Sequence, residues 1–166
     1  MEVASARHTA QARRGKVEEI IKRFNANRVR YLLIGGQAVR LEGYPRFSMD
    51  WDFYIPGRDM ATIDLINSLL HDELDVPLVP LGPLGECFVQ TYQTQWGILQ
   101  FHLAGPGLPP FDQAEQRSVI RLTEDGIPVR CLNLDDLLES KRRAGRPSDA
   151  SDIEFLERKR ALTQTG

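Results

Sequence analysis

The sequence predicts an α/β (α+β) fold, a mixed β-sheet flanked by helices and followed by C-terminal helices. Three observations predict it. Tyr31-Leu32-Leu33-Ile34 is a short continuous apolar run ended by Gly35-Gly36, as in a central strand buried on both faces. Met49 to Ile55 alternates Asp50 and Asp52 with Trp51 and Phe53 at period two, so this strand has one acidic and one aromatic face. The last third carries two helices whose ends are marked by caps and by charges that complement their dipoles.

In chain order, residues 1–14 are polar and small with scattered Arg7, Arg13 and Arg14, a composition that buries too little to order itself and reads as a flexible tail. Residues 15–162 then read as one domain. Val17, Ile20, Ile21 and Phe24 recur at helical spacing, giving a first helix to about Asn27. After the Tyr31–Ile34 strand and a Gly35-Gly36 turn, Gln37 to Leu41 forms a short helix that Gly43-Tyr44-Pro45 stops. Asp59 caps a helix with an Ile63, Ile66, Leu69, Leu70 stripe ending near Glu73. Pro77, Pro80, Gly82, Pro83 and Gly85 make a loop, and the runs Cys87–Tyr92 and Gly97–Leu103 form a hairpin, with Trp96 at the start of the second. Gly105 to Pro110 is a rigid loop, and Val119–Leu122 pairs with Ile127–Cys131 around Glu124-Asp125-Gly126. Asn133 caps a helix with Asp135 and Asp136 in its first turn and Lys141, Arg142 and Arg143 before Gly145, and Pro147-Ser148 opens the last helix.

The 166 residues are 42% hydrophobic, enough for one well-buried core. Twenty-one basic against twenty-three acidic side chains give a net charge of −2, so no global charge draws the chain to nucleic acid or a membrane. No run approaches the roughly 18 apolar residues of a membrane span, and Met1 to Ser5 lacks the start of a secretion signal. A soluble, cytoplasmic protein is expected. Cys87 and Cys131 stand far apart with no partner at metal-ligand spacing and read as free thiols.

Chemistry concentrates at Asp50 and Asp52. Carboxylates two residues apart on a strand share a face with backbones about 6 to 7 Å apart, close enough to reach one divalent ion. Mg²⁺, or Mn²⁺ in its place, prefers such oxygen ligands together with substrate phosphates, so the pair suits a nucleoside triphosphate. Gly35 and Gly36 have no side chains to keep an anion from the backbone, and the N–H groups opening the next helix favour phosphate.

Tyr31-Leu-Leu-Ile-Gly35-Gly36-Gln37-Ala38-Val39, followed by Gly43-Tyr44-Pro45-Arg46-Phe47-Ser48-Met49-Asp50-Trp51-Asp52, resembles the entry motif of the DNA polymerase β-like nucleotidyltransferase superfamily. Downstream, Leu134-Asp135-Asp136-Leu137-Leu138 with Lys141, then Ala144-Gly145-Arg146-Pro147 and Asp149 to Asp152, is similar to the small bacterial AbiEii-toxin-like branch. The resemblance spans roughly residues 28 to 157. It implies that Gly35 and Gly36 hold nucleotide phosphates, that Asp50 and Asp52 bind the catalytic metal, and that a hydroxyl attacks the α-phosphate of an NTP with loss of pyrophosphate.

The resemblance also calls for a third carboxylate on a later strand. The matching text, Gly97-Ile98-Leu99-Gln100-Phe101-His102, places neutral Gln100 there, with His102 on the same face as a candidate base. Arg46 and Ser48 precede the acidic strand and are candidate phosphate contacts, as are Lys141 and Arg146. Lys141 also sits where a helix end favours a cation, and Asp149 and Asp152 sit where caps and dipole partners are expected. Trp51 and Phe53 are expected in the core. Two classes of function follow: transfer of a nucleoside monophosphate to a protein, RNA or small-molecule hydroxyl, or a catalytically impaired homologue that binds a nucleotide or a partner. The resemblance further allows a cognate toxin or antitoxin as that partner.

Overall fold

The computed structural model describes residues 16–164, so the tail expected over residues 1–14 lies outside the described residues. Val17, Ile20, Ile21 and Phe24 form the buried stripe of helix α1 (Lys16–Ala26). Strand β1 (Leu32–Ile34) is buried throughout, as its unbroken apolar run requires. It is one residue shorter than expected; Tyr31 precedes it, with its hydroxyl donating to Asn25 Oδ1 at 2.7 Å. The expected Gly35-Gly36 turn is not a separate element. Ile34 is extended, Gly35 takes φ +70°, and the chain passes straight into α2 (Gly35–Leu41).

Strand β2 (Asp50–Tyr54) lies between β1, antiparallel to it, and β4 (Gly97–His102), parallel to it. Helix α3 (Met60–Leu69) is capped by Asp59, whose side chain accepts from Ala61 N, and it ends four residues before the expected Glu73. Strand β3 (Val89–Thr94) forms the expected antiparallel hairpin with β4; Trp96 lies in the turn between them, not in the strand. A helix that periodicity does not show, α4 (Phe111–Gln116), follows the proline loop. Its six residues are too few to establish a period, and Phe111 and Ala114 alone are buried. Strands β5 (Val119–Leu122) and β6 (Pro128–Cys131) make the second hairpin.

Helix α5 (Leu134–Ala144) starts where Asn133 Oδ1 accepts from Asp136 N at 2.7 Å and stops at left-handed Gly145. Pro147 opens a 3₁₀ turn (Pro147–Asp149), tighter than the expected helical start, which leads into α6 (Ala150–Gln164). The six strands are ordered β3-β4-β2-β1-β6-β5, with β1 also parallel to β6.

The aromatic face of β2 lies in the core. Phe53 is fully buried and meets Phe24 of α1 edge-on at 5.6 Å, Tyr31 at 5.8 Å and Phe101 of β4 at 5.9 Å between ring centroids. Trp51 packs partly buried against the same core. On the other face, α5 and α6 pack on one another and on α2, leaving the acidic side of β2 open between them and β4. No helix among the described residues is long and apolar enough to cross a membrane. Cys131 is buried and its thiol is pushed up to about 12 by desolvation, while Cys87 is exposed; both are free.

Candidate active site

Period-two geometry projects Asp50 and Asp52 from one face of β2, and both line a cavity of about 440 Å³. The same cavity gathers every candidate catalytic, metal or phosphate-binding residue: Gly35, Gly36, Arg46, Ser48, His102, Lys141 and Arg146 besides the two acids. They come from four separate stretches of chain, so the fold makes the site.

The glycines have a steric task. A Cβ on Gly35 would lie 2.4 Å from Asp52 Oδ2, and one on Gly36 would lie 2.8 Å from Ser48 Oγ and 3.2 Å from Arg46 Cζ. The space left by the missing side chains is thus taken by the site's own polar groups. The segment before β2 is held by Gln37, a buried side chain whose Nε2 donates to Ser48 O at 3.0 Å while its Oε1 accepts from Arg40 Nε at 2.8 Å. Ser48 Oγ in turn donates to Asp50 O at 3.3 Å. Nothing in the local spacing of Gln37 marks it as the link between α2 and the acidic strand.

His102 Nε2 lies 2.8 Å from Asp52 Oδ1, across from β4. Gln100 is paired in register with Asp52, so the position at which the resemblance calls for a carboxylate is directly beside the acidic pair and carries a neutral amide. Among the described residues no three His, Cys, Asp or Glu side chains gather as a metal-ligand set.

Asp149 and Asp152 lie in first turns and Lys141 in the last turn of α5, as expected of dipole partners, and the three also meet in a buried ion cluster. Lys141 is buried and its Nζ sits 2.9 Å from Asp149 Oδ1 and 3.1 Å from Asp152 Oδ2. Asp152 also receives Arg46, and Asp149 receives Arg146 Nε at 2.9 Å. Burial by itself raises the Asp149 carboxyl, but hydrogen bonds and charge from Lys141 and Arg146 outweigh it and hold the group below its usual range. Three cations share two buried carboxylates, which leaves one positive charge in excess on this wall. The i, i+3 spacing of Asp149 and Asp152 places both on one helical face, but nothing in that spacing discloses Arg46, more than a hundred residues earlier, as a partner.

No protein-family model and no curated protein matches the chain. Solved structures do. A Thermotoga maritima protein assigned to the nucleotidyltransferases has a TM-score of 0.44 and 11% identity over 90% of this chain and 91% of that chain. The solution structure of the antibiotic-resistance factor ANT(2″)-Ia gives 0.41 and 18% over 90% and 94%. ANT(2″)-Ia in complex with adenylyl-2″-tobramycin gives 0.53 and 16% over 90% and 87%. With its six-stranded mixed sheet and flanking helices, the chain has a nucleotidyltransferase-like fold.

Proposed function

We propose that this chain, with residues 15–162 as its single domain, is a cytoplasmic nucleotidyltransferase that moves a nucleoside monophosphate from an NTP to a hydroxyl acceptor with Mg²⁺, or Mn²⁺, as cofactor. The observation that carries this reading is the meeting, in one cavity, of the Asp50/Asp52 pair with a wall of Arg46, Lys141 and Arg146 whose charge exceeds that of its carboxylates. Two carboxylates on one strand face form a hard oxygen donor set that fits Mg²⁺, and Asp50 and Asp52 would hold it. Bound there, the ion supplies Lewis-acid stabilisation of the charge that builds on the transferring phosphoryl group.

The remaining work belongs to side chains. Arg46, Lys141 and Arg146 attract and orient the phosphates, with Ser48 as a hydroxyl contact. The acceptor oxygen bonds to the α-phosphorus as the α–β bridging bond breaks, and pyrophosphate leaves with that electron pair. Asp52 orients the imidazole of His102 with hydrogen on Nε2, which leaves Nδ1 to take the acceptor's proton. ANT(2″)-Ia, similar in fold, is found in complex with adenylyl-2″-tobramycin.

Calorimetric titration tests the site: NTP binding that requires Mg²⁺ is expected in the wild type and at least about tenfold weaker in Asp50→Asn/Asp52→Asn. Equal binding in that variant would falsify the site.

Gln100 beside Asp52 favours a second reading, a catalytically impaired homologue of the AbiEii-like branch that binds a nucleotide or a cognate toxin or antitoxin. An amide cannot deprotonate a hydroxyl and binds Mg²⁺ less strongly than a carboxylate. On this reading Gln100→Asp gains label transfer from α-labelled NTP while the wild type has none. Transfer by the wild type excludes it.

A further inference from the structure

We propose that the uncharged sheet face over β4 and β3 is the acceptor platform, and that the acceptor is a neutral polyhydroxyl compound of the carbohydrate class. This rests on the nucleotidyltransferase reading above and deepens it. Arg46, one of the cations that would take the phosphates, stands beside Gly36 at the start of α2, on the β1 side of Asp52. In-line displacement brings the attacking hydroxyl opposite the leaving pyrophosphate, so the acceptor approaches from the β4 side, over Gln100.

The sheet register defines what it meets there. Asp52 is followed sideways by Gln100 and then Thr91, and Asp50 by Ile98 and then Gln93. Neighbouring strands lie about 4.8 Å apart, so these rows extend the site by about 10 Å to the β3 edge. Thr91 and Gln93 are exposed and Gln100 half-buried, and among the described residues no side-chain hydrogen bond engages any of the three. The polar side chains on the opposite face of β3 are occupied: Gln90 bonds the backbone of Val79 and Cys87, and Thr94 bonds Gly97 O.

Charge decides the ligand class. The chain is 27% charged, yet from Cys87 to Phe111 no Asp, Glu, Lys or Arg occurs. A polycationic acceptor needs carboxylates on this face, and a nucleic acid needs basic side chains. The β3–β4 part of the face supplies neither; its nearest acids, Asp50 and Asp52, belong to β2. Amides and a hydroxyl both donate and accept, as sugar hydroxyls do, and Ile98 between Gln93 and Asp50 offers an apolar surface to a sugar's C–H face.

Amide NMR of the full chain with Mg²⁺ and α,β-methylene-ATP tests this directly. Maltotriose, sucrose and myo-inositol serve as neutral probes, tobramycin as a polycation and a short RNA as a polyanion. A neutral probe is expected to shift resonances within Val89–Thr94 and Gly97–His102, and tobramycin and RNA are not. With α-labelled ATP, label should appear on that neutral probe, and Thr91→Glu/Gln93→Glu should raise its KM at least about tenfold with ATP affinity unchanged. Shifts produced by tobramycin or RNA, silence from all three neutral probes, or an unaltered KM in the variant overturns the acceptor class. Absence of ATP-analogue binding overturns the nucleotidyltransferase reading instead.

Discussion

Gly35 and Asp52 show how one backbone angle shapes the site. At φ +70°, a conformation that side chains disfavour, Gly35 leaves room for a carboxylate oxygen that a Cβ would approach to 2.4 Å. Gly35→Ala therefore meets both backbone strain and a clash, and is expected to cost about 2 to 4 kcal/mol in urea denaturation and to weaken NTP binding. Gly36→Ala is expected to be milder, because its nearest neighbours, Ser48 Oγ and the guanidinium of Arg46, are side-chain tips that can yield. Equal losses for the two would remove the special role of Gly35. The sequence marks both glycines as a chemical feature, but not which atoms fill the space beside them, because Asp52 reaches Gly35 only through the β1–β2 pairing.

Elements meet at the corner of α5, the 3₁₀ turn and α6. Lys141 from α5 bridges two acids that follow it, and Arg46, far earlier in the chain, ties the loop before β2 to one of them, Asp152. Breaking one member of such a buried cluster is costly because the partners keep their charge without full compensation. The folded Asp149 carboxyl lies below its ordinary value of 3.8, so its stabilising contribution is complete above that value and is lost as pH falls through the lower folded one. Urea midpoints measured from about pH 6 down to about pH 3 should fall less steeply in Asp149→Asn than in the wild type. Parallel slopes would mean that Asp149 is not held by Lys141 and Arg146 in solution. Capping by Asn133 and the stop at Gly145 were legible because they are local backbone events. The ion cluster was not, since charges near helix ends are expected for dipole reasons alone.

At the scale of the whole molecule, β2 couples core and site: Phe53 anchors one face while Asp50 and Asp52 open on the other. Phe53→Ala is expected to destabilise by about 3 to 5 kcal/mol, a large part of the roughly 5 to 15 kcal/mol that holds a domain of this kind. Phe53→Leu should cost less, and a comparable loss would show that the aromatic contacts outweigh the volume removed. The sequence by itself determined the alternation of acids and aromatics on β2, the buried run of β1, the two hairpins and the capped C-terminal helices, because each is a periodic or local property of backbone geometry. It did not determine α4, whose six residues carry no resolvable period. Only the tertiary structure decided that Gln100 and His102 stand beside Asp52, and that Arg46, Lys141 and Arg146 share Asp149 and Asp152. The physical reason is that strand order and helix docking bring Asp52 to β4 and Arg46 to Asp152 across about 50 and about 100 positions through burial of a common core, and no local spacing encodes such distances.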